Sequence, residues 1–314
     1  MDGVLVLDKP TGMTSFDVVR RIKHASGVRR VGHGGTLDPL ASGVLPICLG
    51  EATKLAQFLL EADKEYEATI RFGVETDTYD ADGAETRRAD PSAITEAAVA
   101  EALAGFRGAI RQKAPVYSAL KRDGQPLYAY ARRGEAVDPP ERAVTIHDLR
   151  LSRFAGPQGV SVFVRCSKGT YIRSLAFDLG RVLGPGAHLT ALRRTRSGPF
   201  TIVAARALPE ILAALQARDP AALPLVGLTD GLAHLPQAQA DAGVALALQQ
   251  GKAVPWSALA GALSPPSIGG QFQVVGPDGR LLAVARTDAA HMVRTLRVFN
   301  IGPPSPEAGK RASV

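Results

Sequence analysis

The stretch at residues 32–50, GHGGTLDPLASGVLPICLG, constrains the fold more than any other part of the sequence. Its nineteen residues include five glycines and two prolines but one charged side chain, that of Asp38. Glycine adopts backbone conformations that are closed to other residues, so Gly32, Gly34 and Gly35 predict a tight loop that a ligand can approach. An apolar run follows, which places the lone carboxylate at the mouth of a buried element.

This loop does not carry the known phosphate-binding patterns. No Gly-Lys-Ser or Gly-Lys-Thr follows at P-loop spacing, and Leu37 stands at the third glycine position of a dinucleotide-binding fingerprint. An aspartate before a proline is also typical of turns in which the side chain binds its own backbone. From the pattern alone, Asp38 is therefore either a turn residue or a catalytic carboxylate.

The composition is that of a globular chain with an excess of positive charge. Its 314 residues suggest two domains, at about 150 residues each. The 37 lysines and arginines against 30 aspartates and glutamates favour an anionic partner such as nucleic acid. Two cysteines do not make a disulfide scaffold, and six scattered histidines give no zinc spacing, so no metal site is expected.

The sequence also bears on location. The first residues, MDGVLVLDKP, lack the basic and apolar regions of a signal peptide. No stretch of about 18 uncharged apolar residues is present to span a membrane. We therefore expect a soluble, cytoplasmic protein without a membrane partner.

Charge is concentrated in two segments of opposite sign. Residues 61–96, the acidic segment, carry 11 acidic and 4 basic side chains. Residues 165–200, the basic segment, carry seven basic side chains and one acidic, Asp178. The basic segment predicts an electrostatic footprint for an anionic partner, unless it is a solvated helix face. Residues 117–133 interleave tyrosines with lysine and arginine, which suits either RNA contacts or a helix with tyrosines inside.

Helix and strand patterns alternate along the chain, which predicts an α+β fold. Residues 65–72 alternate in polarity and predict a strand with Tyr66 and Phe72 on its buried face. Ser15 predicts the N-cap of a helix whose inner face includes Phe16. Further strands are predicted at 4–7 and 160–166, and further helices at 92–106 and 171–182.

A domain boundary is expected near residues 233–243. After it, a weak helix and three short strand patterns predict a small β-rich domain over residues 243–301, with a hairpin at Pro277-Asp278-Gly279. Residues 1–240 form the larger domain. The tail at residues 302–314 has three prolines and no apolar pattern, so it is expected to be disordered.

Several motifs, in order and with matching spacing, resemble one known family. Residues 32–50 closely resemble the catalytic motif of the bacterial tRNA pseudouridine-55 synthases. Five more segments are similar to further motifs of that family and span most of residues 3–200: Lys9–Gly12, Lys64–Asp82, Tyr117–Lys121, Lys168–Leu175 and His188–Arg194. The C-terminal part resembles the family only loosely, chiefly at Gln250–Val254.

The resemblance implies a pseudouridine-synthase catalytic domain with a mixed, mainly antiparallel sheet. An insertion at about residues 115–145 would contact RNA, and the small C-terminal domain would be a PUA-like RNA-binding domain. Family members convert uridine 55 in the T loop of tRNA to pseudouridine by extruding the base, cleaving the N1–C1′ bond and joining C5 to C1′. No cofactor is implied, and the expected partner is the T stem-loop of a tRNA, bound by a monomer.

The resemblance also assigns site residues. Asp38 aligns with the catalytic aspartate, Arg173 with a cation that orients it, and Tyr66 with a tyrosine that stacks on the uracil. A carboxylate suits this chemistry because glycosidases use one on the same type of bond. Four residues would bind the substrate nucleotide: His33, Tyr171, Leu192 and Lys9. Six more are expected to contact RNA elsewhere: Lys121, Arg132, Arg133, Lys168, Arg193 and Arg194.

Two other functions remain open. One is a non-catalytic RNA-binding module, which the intact set of Asp38, Tyr66 and Arg173 argues against. The other is a nucleoside or sugar hydrolase, which normally needs a second carboxyl group as acid and water handler. No second carboxyl group stands out in the matched motifs. Unmodified tRNA distinguishes these functions, because isomerisation leaves the RNA mass unchanged and hydrolysis releases uracil.

Overall fold

A computed structural model describes residues 1–118, 120–122, 124–135, 137–218, 222–261 and 266–300, with the backbone alone at 121, 126, 128 and 132. The expected tail at 302–314 lies outside the described residues. The helices are α1 Ser15–Ser26, α2 Ala56–Glu61, α3 Glu96–Ala104, α4 Leu127–Arg132, α5 Ile172–Leu183, α6 Leu208–Gln216 and α7 Ala242–Gln249. Within the described residues, no helix is long and apolar enough to cross a membrane.

The strands before residue 230 include those of the main sheet and two short ribbons. They are β1 Gly3–Lys9, β2 Val31–His33, β3 Ala41–Leu49, β4 Lys64–Phe72, β5 Val74–Thr76, β6 Glu85–Arg88, β7 Gly108–Lys113, β8 Lys121–Arg122, β9 Gln125–Pro126, β10 Glu141–Phe154, β11 Gly159–Cys166, β12 Ala187–Ser197, β13 Phe200–Thr201, β14 Arg206–Ala207 and β15 Leu225–Val226.

One mixed sheet forms the centre of the fold. Among the described residues it has eleven strands, in the order β14-β1-β3-β12-β4-β11-β10-β7, with β2, β13 and β15 paired beside this path. Its neighbours are antiparallel except for β1 with β14 and β3 with β12. Helices α1, α3, α5 and α6 cover one face with a shared apolar core. The predicted α+β fold with a mainly antiparallel sheet is confirmed.

Strand β4 shows how the sequence places this sheet. Its side chains alternate in burial, with Tyr66 and Phe72 inside, as the period-two pattern predicts. The strand lies between β11 and β12 and pairs with both along its whole length. The centre of the sheet is therefore made by segments about 100 residues apart in sequence.

Helix α1 begins one residue earlier than the sequence pattern indicates. Its N-cap is Thr14, whose Oγ1 accepts a hydrogen bond from the backbone N–H of Asp17 at 3.0 Å. The prediction of Ser15 as the cap was wrong, because that side chain turns inward and bonds the chain elsewhere. Phe16 was also wrongly predicted to be inside, since it is 71% exposed.

The C-terminal part is a second, smaller sheet. Its strands are β16 Gln237–Gln239, β17 Val254–Pro255, β18 Gln271–Val275, β19 Leu281–Thr287 and β20 Met292–Val298. The first of these strands lies within the boundary region predicted at residues 233–243, so the small sheet begins before residue 243, where the domain was expected to start. Leu281, Val284 and Phe299 share an apolar core with Leu55 and Phe58 of the larger domain. The two parts are therefore joined by a continuous core.

A short insertion leaves the main sheet between β7 and β10, which pair directly with each other. It holds the β8–β9 ribbon and α4, at the place where residues 115–145 were expected to protrude. Its base lies beside the start of α5, because the Tyr117 carbonyl accepts a hydrogen bond from Arg173 at 2.9 Å.

Candidate active site

The glycine-rich loop between β2 and β3 holds Asp38 with its side chain 38% exposed. Ser15 Oγ holds the backbone of Leu37, the residue before Asp38. It accepts a hydrogen bond from the Leu37 N–H at 2.8 Å and donates one to the Leu37 carbonyl at 3.1 Å. The carbonyl of Pro39 accepts from the Gly12 N–H at 2.8 Å. The first turn of α1 and the end of β1 thus hold the loop in place.

Arg194 supports this loop from below. It is 1% exposed, and its guanidinium donates to the carbonyls of Val44 at 2.7 Å, Thr36 at 3.2 Å and Gly35 at 3.0 Å. Strand β12 places it there by pairing Arg194 with Gly43 on one side and Tyr66 on the other. A central-strand position buries Arg194 among loop carbonyls. The RNA contact that the resemblance implies for it stays a prediction.

The glycines of the loop serve chain packing more than ligand approach. A Cβ at Gly34 would lie 2.8 Å from the Leu59 side chain, and one at Gly43 would lie 2.2 Å from the Arg194 carbonyl oxygen. Any larger residue at Gly43 would push β3 and β12 apart. The loop is tight because two neighbouring elements approach its backbone closely.

Lys9 is a second buried cation behind the loop. It is fully buried, and its Nζ donates to the carbonyls of Pro10 and Met13, both at 2.7 Å. Burial lowers the pKa of Lys9 to about 8, although the nearby Asp38 acts in the opposite direction. The ammonium group is held by the turn between β1 and α1. The substrate contact that the resemblance implies for Lys9 stays a prediction.

Arg173 lies at the start of α5 and is 5% exposed. Its Nε is 2.9 Å from Asp38 Oδ2 and 3.5 Å from Asp80 Oδ2, an ion pair in which the N–H is not aligned for a hydrogen bond. Its two terminal nitrogens donate to the carbonyls of Thr78 at 3.0 Å and Tyr117 at 2.9 Å. The guanidinium is thereby fixed with one edge toward two carboxylates.

Asp80 is a site residue that the sequence reasoning missed. It is 5% exposed, and its Oδ1 accepts hydrogen bonds from Thr78 Oγ1 at 2.6 Å and from the Asp82 N–H at 3.1 Å. Its place in the matched Lys64–Asp82 motif was the available signal. A second carboxyl group is thus present, but it is held in internal bonds.

These elements enclose a cavity of about 270 Å³. Six of the residues that line it matter for the chemistry: Asp38, Tyr66, Tyr171, Arg173, Leu192 and Arg194. Burial raises the pKa of Tyr66, so its phenol is neutral near neutral pH. The cavity therefore combines an ion-paired carboxylate with flat and apolar walls, an arrangement that can hold a planar base against an anionic group.

Tyr171 takes its position from Gln112, which no motif indicated. The Gln112 amide is 1% exposed; it accepts from the Tyr171 N–H at 2.7 Å and donates to the Tyr171 carbonyl at 3.0 Å. This pair links β7 to the residue just before α5. The Tyr171 ring and Arg173 consequently enter the cavity from the same anchored turn.

The other predicted contacts lie outside this cavity. His33 Nδ1 accepts from the Gly35 N–H at 3.3 Å, and burial lowers the pKa of His33. Three cations form ion pairs on the surface: Lys168 with Glu61, Arg193 with Asp8 and Arg133 with Glu135. The side chains of Lys121 and Arg132 lie outside the described part of the chain.

A larger groove of about 750 Å³ runs along the same strands. Its lining includes Glu67, Thr69 and Arg193, which alternate along β4 and β12 with Tyr66 and Leu192. Pro39 and Leu192 also line this groove, and Leu192 lines the smaller cavity as well, so the two adjoin. The smaller cavity is the candidate active site, and Arg193 lines the groove but not that cavity.

The side chains of the cavity can also be considered as possible ligands of a metal ion. Across the described ranges, no three His, Cys, Asp or Glu side chains are grouped so that they could hold a metal ion. The chemistry that these side chains can perform directly is that of a carboxylate oriented by a guanidinium.

Family models match most of the larger domain. The N-terminal domain of the TruB family pseudouridylate synthases matches residues 23–172, and the tRNA pseudouridylate synthase B C-terminal domain matches residues 173–224. A tRNA pseudouridine synthase B of Burkholderia pseudomallei is 51% identical over 287 residues, which is 91% of this chain and 93% of that protein. One of Aromatoleum aromaticum is 47% identical over 92% of this chain and 89% of that protein.

Solved structures give the same result for the fold. A Cbf5-Nop10-Gar1 complex contains a chain with TM-score 0.75 and 29% identity, covering 95% of this chain and 85% of that chain. An H/ACA RNP bound to a substrate RNA containing 2′-deoxyuridine gives TM-score 0.73 and 26% identity over the same shares. The fold and site thus define a pseudouridine synthase, an isomerase. This chain belongs to the TruB family of pseudouridylate synthases.

Proposed function

We propose that this enzyme isomerises uridine 55 in the T loop of tRNA to pseudouridine. The observation that carries the proposal is the ion pair between Asp38 and Arg173, at 2.9 Å, inside a cavity walled by Tyr66 and Leu192. The name shared by the curated relatives, tRNA pseudouridine synthase B, supports tRNA as the substrate. The matched motifs support the T loop.

The reaction begins when the target uridine leaves its stacked position in the RNA. Extrusion of a base costs about a few kcal/mol, and stacking in the pocket offsets part of this. Tyr66 and Leu192, on the neighbouring strands β4 and β12, supply flat and apolar contacts to the cavity. The phenol of Tyr66 is neutral, so its primary role here is to stack on the uracil.

The bond changes need one negative charge in a fixed place. The N1–C1′ bond breaks, the uracil rotates, C5 bonds to C1′, and the proton lost from C5 is balanced by one gained at N1. Asp38 supplies the charge, whether its carboxylate attacks C1′, attacks the base or removes a sugar proton. Arg173 orients the carboxylate, because its own position is fixed by two backbone carbonyls.

RNA binding outside the pocket involves the rim and the insertion in this proposal. Lys168 and Arg133 are exposed cations that exchange their surface ion pairs for phosphate contacts. Lys121, Arg132, His33 and the C-terminal sheet are proposed to add RNA contacts, as the resemblance implies. A cytoplasmic, monomeric enzyme stays a prediction.

The test is product identification on unmodified tRNA transcript labelled with tritium at C5 of uridine. Isomerisation at one site releases one tritium per RNA into water, while the RNA chain keeps its base. A transcript with cytidine at position 55 is the control and should release none. Free uracil would instead indicate a hydrolase, and release that persists in the control transcript would refute position 55.

A further inference from the structure

One face of α5 contacts the loop that carries Asp80 at three successive turns. Arg173, Phe177 and Arg181 are four residues apart and so lie on the same side of the helix. Arg173 donates to the Thr78 carbonyl at 3.0 Å, and Arg181 Nε is 2.8 Å from Glu75 Oε1. Between them, the Phe177 ring stacks on that of Tyr79, with 4.0 Å between ring centroids and 19° between planes.

Tyr79 occupies an unusual backbone conformation. Its φ is +64°, in the left-handed region that glycine adopts freely and other residues rarely do. A tyrosine in that conformation persists only where its surroundings hold it. The stacked Phe177 ring is one such constraint. The guanidinium carbon of Arg181 in turn lies over the Phe177 ring, 4.9 Å from its centroid.

The backbone at Tyr79 determines where two active-site groups point. On one side, the Thr78 carbonyl binds Arg173 Nη1; on the other, the Asp80 carboxylate is 3.5 Å from Arg173 Nε. The Tyr79 carbonyl itself accepts from the Leu189 N–H at 3.0 Å, which ties the turn to β12. A change of φ at this residue would rotate Thr78 and Asp80 relative to each other.

We propose that Tyr79 is a positioning residue for catalysis. Its ring, stacked on Phe177, holds the left-handed turn and so keeps the Thr78 carbonyl and the Asp80 carboxylate on Arg173, which in turn orients Asp38. The proposal rests on pseudouridine formation at this pocket. The competing explanation is that the two rings only pack the core, in which case activity would fall only as far as stability does.

Glycine is the informative substitution, because Tyr79→Gly removes the ring but relieves the backbone strain. Glycine can adopt the left-handed conformation, but without the ring nothing confines it there. We therefore expect single-turnover tritium release to fall by about 10- to 100-fold, as small displacements of catalytic groups do. The tRNA Kd should stay within about threefold and the Tm close to that of the unaltered enzyme, because strain relief offsets lost packing. Tyr79→Phe keeps the ring and should restore the rate.

Two further variants separate positioning from packing. Val182→Ala, an exposed apolar position on α5, is the matched control and should leave rate and Tm unchanged. In an enzyme that already carries Asp80→Asn, adding Tyr79→Gly should lower the single-turnover rate little further, because both substitutions act through Arg173. Fully additive losses, or a rate loss that only tracks the Tm, would contradict the proposal.

The outcome stays separable from that of the proposed function. Tritium is measured from all uridines, so an enzyme that acts at another position of the tRNA still reports on Tyr79. If the unaltered enzyme is active and Tyr79→Gly retains its single-turnover rate, the positioning role is refuted while the proposed function stands.

Discussion

The acidic segment at residues 61–96 and the basic segment at residues 165–200 have opposite charge and, in sequence, no relation to each other. In the structure they are partners, because β4 pairs with β11 and β12 and so brings the acidic segment beside the loops and the helix α5 of the basic segment. The pairs are Glu61 with Lys168, Glu65 with Arg196, Glu75 with Arg181 and Asp80 with Arg173. A segment rich in one charge is therefore a poor predictor of a binding surface when side chains of the opposite charge, from a distant segment, pair with it in the fold.

The pairs differ in burial, which separates their roles. Glu61 and Lys168 are 50% and 55% exposed, whereas the Asp80 and Arg173 side chains are 7% and 6% exposed. Exposed pairs contribute little and can be exchanged for phosphates, while breaking a buried pair leaves a charge without compensation. The two segments therefore share an active-site end that is buried and a rim end that is available to RNA.

Among substitutions within these two segments, the largest effect is expected at the buried end. Arg173→Lys removes the planar fork that binds two carbonyls while it faces two carboxylates. We expect single-turnover pseudouridine formation to fall by about 10³-fold, comparable to the loss of a preorganised charge stabiliser. Arg196→Lys in the same segment, at the exposed end, should keep the rate within about twofold, and equal losses would contradict this division.

A smaller loss is expected from the acidic partner. Asp80→Asn keeps the shape and the bond to Thr78 but removes one of the two negative charges at Arg173. We expect the rate to fall by about 10- to 100-fold with little change in tRNA affinity, since Arg173 retains its backbone bonds. Asp82→Asn, two residues further on and exposed, is the matched control and should behave as the unaltered enzyme.

Substitution in the pair of Glu75 with Arg181 should affect the stability of the fold. Glu75 is 3% exposed and binds both Arg87 and Arg181, at 3.1 and 2.8 Å. Glu75→Gln should lower the free energy of unfolding by about 1–3 kcal/mol, as loss of buried charge-assisted hydrogen bonds does. Urea titration measures this change. A rate loss larger than that of Asp80→Asn would place Glu75 in the active-site group instead.

The smallest effect is expected at Asp178, the one acidic residue of the basic segment, whose contribution to stability depends on pH. Burial raises the pKa of Asp178 from 3.8 to about 6, although Arg181 acts in the opposite direction. The contribution of Asp178 to the free energy of unfolding therefore falls as the pH rises from about 4 through 6. Asp178→Asn should stabilise the protein by about 1 kcal/mol at pH 8, after allowance for partial exposure, and by nothing near pH 4. Equal melting shifts at both pH values would contradict this.

Local patterns predicted the elements better than their partners. The alternation in β4 and the glycine-rich motif around Asp38 were sufficient to place a half-buried strand and a tight loop. The burial of Lys9 and Arg194 was not predictable, because it depends on which strands flank them in the sheet. Asp80 was missed for the same reason, since its partner Arg173 is 93 residues away along the chain. A local sequence pattern does not show which distant segments pair with each other in the fold.

The central claim is that the Asp38 carboxylate performs the chemistry. Asp38→Asn keeps the size of the side chain and removes its charge, so single-turnover tritium release should fall by about 10⁴-fold, equivalent to roughly 6 kcal/mol of barrier. The tRNA affinity should be unchanged or higher, because an anion near a polyanion is removed, and the Tm should change little. A rate near that of the unaltered enzyme would contradict the account and leave Asp38 as a turn residue before Pro39.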